Sequence, residues 1–291
     1  MNWNRIAQQI AASTGEPFAL ERDSSAGGGC INSAHRLYGS GRSYFVKLNS
    51  DDLLDMFIAE AEGLQEMAAA HAIRVPVPVC YGTDSGQAYL VIENIEFGGR
   101  DGVAALGEQL AALHRCTKDR FGWHRNNTIG ATPQINDWND SWLEFWRAQR
   151  LGYQLELAGR RGIGSAVLRQ GEQLMDAMDM LFADYQPEAS LLHGDLWSGN
   201  YAISADGEPV IFDPAVYYGD READIAMTEL FGGFGRSFYA TYNNAWPLDV
   251  GYKVRKHFYN LYHVLNHFNL FGGGYGSQAQ GMLERILGEL R

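Results

Sequence analysis

The 291-residue chain is 46% hydrophobic and 20% charged, enough apolar surface for burial to offset the entropy of ordering, which argues against disorder. Its length sits at the limit of about 250–300 residues at which one core stops growing, so two lobes are expected. Thirty-five acids against 23 bases give −12, a field that repels the phosphates of nucleic acid and anionic lipid, and no stretch approaches the ~18 consecutive apolar residues of a membrane span.

A cytoplasmic protein without nucleic-acid or membrane partners is therefore expected. Residues 1–15 carry scattered apolar positions rather than a continuous hydrophobic run, and Cys30, Cys80 and Cys116 form no C-x-x-C pair, which fits free thiols in a reducing compartment.

The chain opens with a helical pattern, Trp3, Ile6 and Ile10, stopped at Gly15. Gly27-Gly28-Gly29 then precedes two strand-like stretches around Gly39-Ser40-Gly41, the second of them, 44–48, apolar and containing Lys47. Asp51 and Asp52 open a glycine-poor, proline-free run to His71 that reads as one helix. Residues 77–81 and 87–93 flank Asp84-Ser85-Gly86 as another strand pair. Residues 1–93 thus read as a small antiparallel sheet carrying one main helix, 94–98 as a hinge, and 99–291 as a mainly helical lobe. Helices are expected over 102–115, 140–161, 165–185, 221–231, 250–270 and 277–290. Inside that lobe, residues 201–204 and 209–212 flank Asp206-Gly207, a two-residue hairpin signal.

The chemistry-bearing residues cluster around this hairpin. Phosphoryl transfer needs a carboxylate to accept the proton of the attacking hydroxyl and oxygen ligands that hold magnesium against the nucleotide phosphates. In His193-Gly194-Asp195-Leu196-Trp197-Ser198-Gly199-Asn200, an aspartate follows a buried strand and an asparagine comes five residues later, the spacing of a kinase catalytic loop. Asp195 is the candidate base and Asn200 a candidate metal ligand. Thirteen residues after Asn200 the strand Val210-Ile211-Phe212 ends in Asp213, the second candidate ligand. A lone aspartate reads as a turn or cap residue; the joint spacing reverses that reading.

In the first lobe, Lys47 at a strand end is followed by a helix whose Phe57, Glu60, Leu64 and Met67 share one face, so Glu60 is its candidate ion-pair partner. The loop 24–32 lacks a full G-x-G-x-x-G; Gly28 and Gly29 are candidate phosphate contacts, with a plain surface turn as the alternative. Ile92 would line an adenine pocket whose polar contacts come from the backbone of Glu93 and Ile95. His257, His263 and His267 lie on one predicted helix, but only the last two share a face and no carboxylate completes a metal site, so they read as packed imidazoles. Cys80 and Cys116 read as small core residues. Cys30, next to the glycines, is the candidate redox thiol, through which a second copy would form a disulfide-linked homodimer; an inert thiol in a monomer is the default.

These residues resemble the aminoglycoside phosphotransferase and choline kinase branch of the protein-kinase-like superfamily, in which glycine, here Gly194, replaces the arginine of His-Arg-Asp. From about residue 18 to 275 the chain looks more specifically like a fructosamine-3-kinase, also called ketosamine-3-kinase. The resemblance is carried by Phe45-Val46-Lys47-Leu48-Asn49; by Phe121-Gly122-Trp123; by the catalytic loop with its Trp197; by the run from Tyr217-Tyr218-Gly219-Asp220 to Phe234; and by Leu265-Asn266-His267. It departs at Asp220, where the family more often has histidine, and at Trp123, often phenylalanine.

The resemblance implies an α+β bilobal kinase fold, ATP and Mg2+ as cofactors, and transfer of the γ-phosphate to the O3 hydroxyl of a small-molecule or protein-bound ketoamine, a deglycation step. It implies that Asp224 and His193 support the catalytic loop and allows Trp197 a sugar contact, with packing beneath the loop as the alternative. A choline-, aminoglycoside- or homoserine-type kinase would share Lys47, Asp195, Asn200 and Asp213; a silent nucleotide-binding module would have lost one of them.

Overall fold

A computed structural model describes residues 1–27, 32–99 and 101–291. The chain groups into two compact units, 1–102 with 202–212, and 103–201 with 213–291.

The first unit opens with α1 (Trp3–Thr14), capped by the Asn2 side chain on Arg5 N–H and ended by Gly15 at φ 72°, a left-handed conformation glycine adopts without strain. Strands β1 (Leu20–Ala26), β2 (Ser33–Gly39) and β3 (Arg42–Ser50) follow, then α2 (Leu54–Ala69), β4 (Pro78–Asp84) and β5 (Gln87–Glu93). They form one five-stranded sheet in the order β1-β2-β3-β5-β4, every pairing antiparallel. The β2–β3 and β4–β5 turns place Ser40 and Gly41 (φ 49° and 71°) and Ser85 and Gly86 (φ 53° and 75°) on the left-handed side, the signature of tight turns that match strand twist. Ile6 and Ile10 of α1 pack with Leu37, Val46, Leu48 and Val91 in one buried cluster.

The rest of the chain runs α3 (Val103–His114), β6 (Thr117–Lys118), β7 (Asn127–Ile129), β8 (Thr132–Gln134), α4 (Trp142–Trp146), α5 (Tyr153–Arg160), α6 (Ser165–Ala177), β9 (Ala189–Leu192), β10 (Tyr201–Ile203), β11 (Pro209–Ile211), β12 (Tyr217–Gly219), α7 (Glu222–Leu230), α8 (Arg236–Ala245), α9 (Tyr252–Phe271) and α10 (Tyr275–Glu289). The six expected helices are all present; that over 140–161 is α4 and α5 joined by a π-helical turn at 147–152. Strands β12-β9-β6 form a small antiparallel sheet. None of the helices among the described residues is long and apolar enough to cross a membrane.

Three features differ from expectation. Residues 24–26, expected in a glycine-rich loop, belong to β1, an exposed strand held by backbone pairing to β2. The β10–β11 hairpin, expected within the helical lobe, groups mostly with the first unit: Gly98 N–H bonds Ile203 O at 3.1 Å, Ile211 N–H bonds Arg74 O at 3.1 Å, and the rings of Phe97 and Phe212 stack at 5.6 Å. Helix α8 was not expected, because its aromatic and asparagine-rich sequence has weak helix propensity; it is held by packing on α3, where Gly107 leaves room for the Phe238 carbonyl.

Candidate active site

In the first unit, Lys47 lies on β3 opposite Leu90 of β5, and its ammonium is ion-paired with Glu60 of α2. Both side chains are buried, 7% and 11% exposed, so removal of either leaves a desolvated charge. The helix face chosen from periodicity is the buried one, since Phe57, Leu64 and Met67 are fully covered. Ile92 and Ile95 are buried. The Glu93 backbone N–H is taken by Val77 O at 2.8 Å and its carboxylate by Arg74 at 3.1 Å. Gly28, Gly29 and Cys30 lie outside the described residues.

In the second unit, the buried strand β9 runs into His193-Gly194-Asp195. Gly194 sits at φ 82°, and a Cβ there would come within 2.1 Å of the Ala215 carbonyl, so the close approach of the two loop segments requires glycine. Ala215 N–H in turn bonds His193 O at 2.8 Å. Asn200, 6% exposed, donates from Nδ2 to the Asp195 carbonyl at 2.8 Å and lies 3.4 Å from Asp195 Oδ2. Its Oδ1 is thereby turned away from the Asp195 backbone. Asp213, two residues past the end of β11 rather than at a strand end, has φ 58°, a left-handed backbone that short polar residues tolerate and that tightly folded sites impose. Burial, then the charges of Asp213 and Asp224, push the Asp195 carboxyl up to about 7, against the opposing bond from Asn200. A general base is most effective near the working pH.

Beneath the loop, Asp224 at the start of α7 accepts His193 N–H at 2.7 Å on Oδ2 and Gly194 N–H at 2.8 Å on Oδ1. His114, the last residue of α3, is fully buried, with Nε2 3.2 Å from Asp224 Oδ2 and Nδ1 2.8 Å from the Tyr242 hydroxyl. Burial raises Asp224, but the hydrogen bonds it accepts from His114 and from Gly194 N–H outweigh it and hold Asp224 below the usual carboxylate range. An ionised Asp224 only accepts, so His114 carries its proton on Nε2 and takes the Tyr242 O–H on Nδ1; Arg221 donates to Tyr242 at 3.1 Å. His114, Tyr242 and Arg221 were not singled out from sequence. A histidine on an apolar helix face reads as packing until the distant Asp224 is seen beside it.

The structure therefore gathers Asp195, Asn200, Asp224 and His193 around one loop, with Asp213 close enough that its charge acts on Asp195. The two departures noted in the sequence are buried. Asp220 accepts hydrogen bonds from Tyr185, Tyr259 and Glu222 N–H, and Trp123 is 2% exposed. Cys80 and Cys116 are half-buried; Cys80 packs against the core cluster of the first unit, and desolvation pushes its thiol up to about 11, whereas Cys116 sits just past the end of α3 rather than in a core. Among the described residues no group of three or more His, Cys, Asp or Glu forms a metal cage, and His263 is a buried, neutral imidazole, as its packed reading requires.

A carboxyl raised by burial, an amide bonded beside it and a second carboxylate nearby are the groups that a kinase-like phosphotransferase needs. The fold agrees: an aminoglycoside phosphotransferase, APH(4)-Ia, superposes with a TM-score of 0.64 over 97% of this chain and 98% of its own at 16% identity. The fructosamine kinase profile matches residues 2–289, and the chain belongs to the fructosamine kinase family. It is 52% identical to a probable ketoamine kinase of Synechocystis sp. over 98% of this chain and 97% of that one. It is 45% identical to the chloroplastic protein-ribulosamine 3-kinase of Arabidopsis thaliana over 95% and 86%. A crystal structure from Haemophilus somnus named "Putative fructosamine-3-kinase" superposes with a TM-score of 0.89, at 30% identity, over 98% and 97%.

Proposed function

We propose that this kinase transfers the γ-phosphate of ATP to the O3 hydroxyl of a ketoamine, the adduct of a sugar and an amine. The observation that carries the reading is Asp195, held by Asn200 and raised to about 7, in a chain whose relatives are named for ketoamine and ribulosamine phosphorylation. Asp195 accepts the proton of the O3 hydroxyl as that oxygen bonds the γ-phosphorus; the bond from phosphorus to the β-bridging oxygen breaks and ADP leaves. Lys47, steadied by Glu60, is the residue assigned to the nucleotide phosphates, and Ile92 with the Glu93 and Ile95 backbone to adenine.

The donors fit a magnesium ion: Asn200 Oδ1 and the Asp213 carboxylate are hard oxygens, and the carboxylate crowding that raises Asp195 is relieved by a cation. Bound there, the ion would offset the charge of the β- and γ-phosphates. A cytoplasmic location is supported by three cysteines without pairing spacing. A silent nucleotide-binding module is disfavoured because base and both metal-ligand candidates are present.

The test is ATP consumption with ribuloselysine, fructoselysine, choline and kanamycin side by side, with the phosphate position read by NMR. Phosphorylation of a ketoamine at O3 is expected. Turnover of choline or kanamycin alone, or a phosphate on another oxygen, overturns the reading.

A further inference from the structure

Trp197, two residues past Asp195, is 37% exposed, and its indole folds back over Gly199, where a Cβ would stand 2.4 Å from Cζ2. From it runs a row of rings contributed by separate segments. Phe231, just after α7, meets Trp197 edge-on at 6.2 Å; His267 of α9 lies 5.0 Å from Phe231; Phe271 and Tyr275 lie 5.8 and 5.1 Å from His267. Core packing does not account for this row. The core aromatics of the same unit, Trp142, Phe145, Trp146 and Phe258, are at most 4% exposed, whereas Phe271 is 56% exposed and Phe231, His267 and Tyr275 are half-buried. The row starts two residues after Asp195, and Tyr262 of α9, little more than one turn before His267, is near enough to feel the Asp195 charge.

His267 has a defined polarity. Its Nδ1 lies 2.8 Å from the His263 carbonyl, which only accepts, so Nδ1 carries a proton and Nε2 is the ring nitrogen left for a further partner. Nε2 has no hydrogen-bond partner among the described residues.

Taking the substrate to be a ketoamine, as proposed above, we infer that Phe231, His267 and Phe271 bind its amine-bearing arm, with Trp197 at the junction between sugar and arm. A ketoamine carries its nitrogen on C1, two carbons from the hydroxyl that reacts at Asp195, so the arm leaves the site close to the base. Its protonated secondary amine is attracted to aromatic faces and donates N–H to an acceptor such as Nε2 of the neutral His267 ring. A lysine-type arm adds a four-carbon apolar stem, which exposed rings cover better than polar side chains do. The row thus selects among adducts that share one sugar and differ in their amine.

The test compares kcat/KM for the ribulose adduct of Nα-acetyl-lysine with that for the ribulose adduct of methylamine, in wild type, Phe231→Ala, Phe271→Ala and His267→Gln. Wild type is expected to favour the lysine adduct, and each variant to lower that ratio by about 5- to 30-fold, the scale of one or two kcal/mol of lost contact. A ratio unchanged in all three variants, or no preference in wild type, overturns the inference while leaving the ketoamine reading in place. Wild type that phosphorylates neither adduct overturns both. Thermal melting controls for folding; Phe271 is exposed, so that variant carries the test if Phe231→Ala does not fold.

Discussion

His114 Nε2 and Asp224 Oδ2 stand 3.2 Å apart, both fully buried, although 110 residues separate them in sequence. Through that contact the end of α3 fixes the carboxylate that holds the His193 and Gly194 N–H groups, and hence the backbone leading to Asp195. His114 is therefore a positioning residue.

His114→Gln is expected to lower kcat by tenfold or more while leaving the nucleotide Kd within about threefold. Asp224→Ala is expected to cost stability too, because it strands two buried N–H groups at about 1–3 kcal/mol each. Urea unfolding beside steady-state kinetics checks both. A His114→Gln enzyme that loses stability but keeps wild-type kcat would mean that the contact only supports the fold.

Two buried histidines pull stability down on the acid side, while the raised carboxyls of Asp195 and Glu222, protonated earlier in the folded state than in the unfolded chain, pull the other way. Burial lowers the His114 and His263 pKa values, His263 to about 3, so the folded protein keeps both rings neutral where the unfolded chain binds protons. Unfolding then takes up protons below the ordinary histidine value of about 6.5, and stability declines by up to about 1.4 kcal/mol per pH unit per histidine. The histidine share is read as a difference: between pH 7.5 and 5 the melting temperature of His114→Gln should rise relative to that of wild type as the pH falls below about 6.5. A difference between the two proteins that does not change with pH contradicts the buried neutral assignment of His114.

The Lys47–Glu60 pair separates stability from activity. Lys47→Met alone leaves the buried Glu60 without this partner, a change on the order of 3–5 kcal/mol, whereas Lys47→Met with Glu60→Leu replaces the pair by apolar volume and should recover most of that loss. Neither variant should recover turnover, since the lysine charge is gone. Denaturation midpoints and kcat/KM for ATP on the three proteins decide it; turnover restored in the double variant would remove Lys47 from phosphate binding.

Asn200→Ala and Asp213→Asn remove oxygen donors from a hard cation and should shift the Mg2+ concentration for half-maximal rate upward by about tenfold or more. A magnesium titration superimposable on wild type in both variants would take these residues out of the metal site.

Much of the site is local in sequence and was legible there. Lys47 lies within an apolar strand rather than at its end, Glu60 shares a helical period with Phe57 and Leu64, and Asp195 and Asn200 lie within one loop, so short spacings already suggest the Lys47–Glu60 and Asn200–Asp195 contacts that form. What escaped depends on partners far along the chain. Strand β1 is polar and exposed and exists through its ladder with β2; α8 is a weak helix former held by α3; the β10–β11 hairpin is claimed by Arg74 and Gly98. The chain Arg221, Tyr242, His114 and Asp224 joins three helices whose sequences carry no mark of one another.

The central claim is that Asp195 accepts the proton from the substrate hydroxyl, and the most direct test is the turnover of a ribulosamine adduct by wild type and Asp195→Asn, with nucleotide binding measured by calorimetry on the same preparations. The account predicts a loss of about 10²–10⁴ in kcat with the nucleotide Kd nearly unchanged, the scale of removing a general base from an intact site. Turnover within a few-fold of wild type would contradict it.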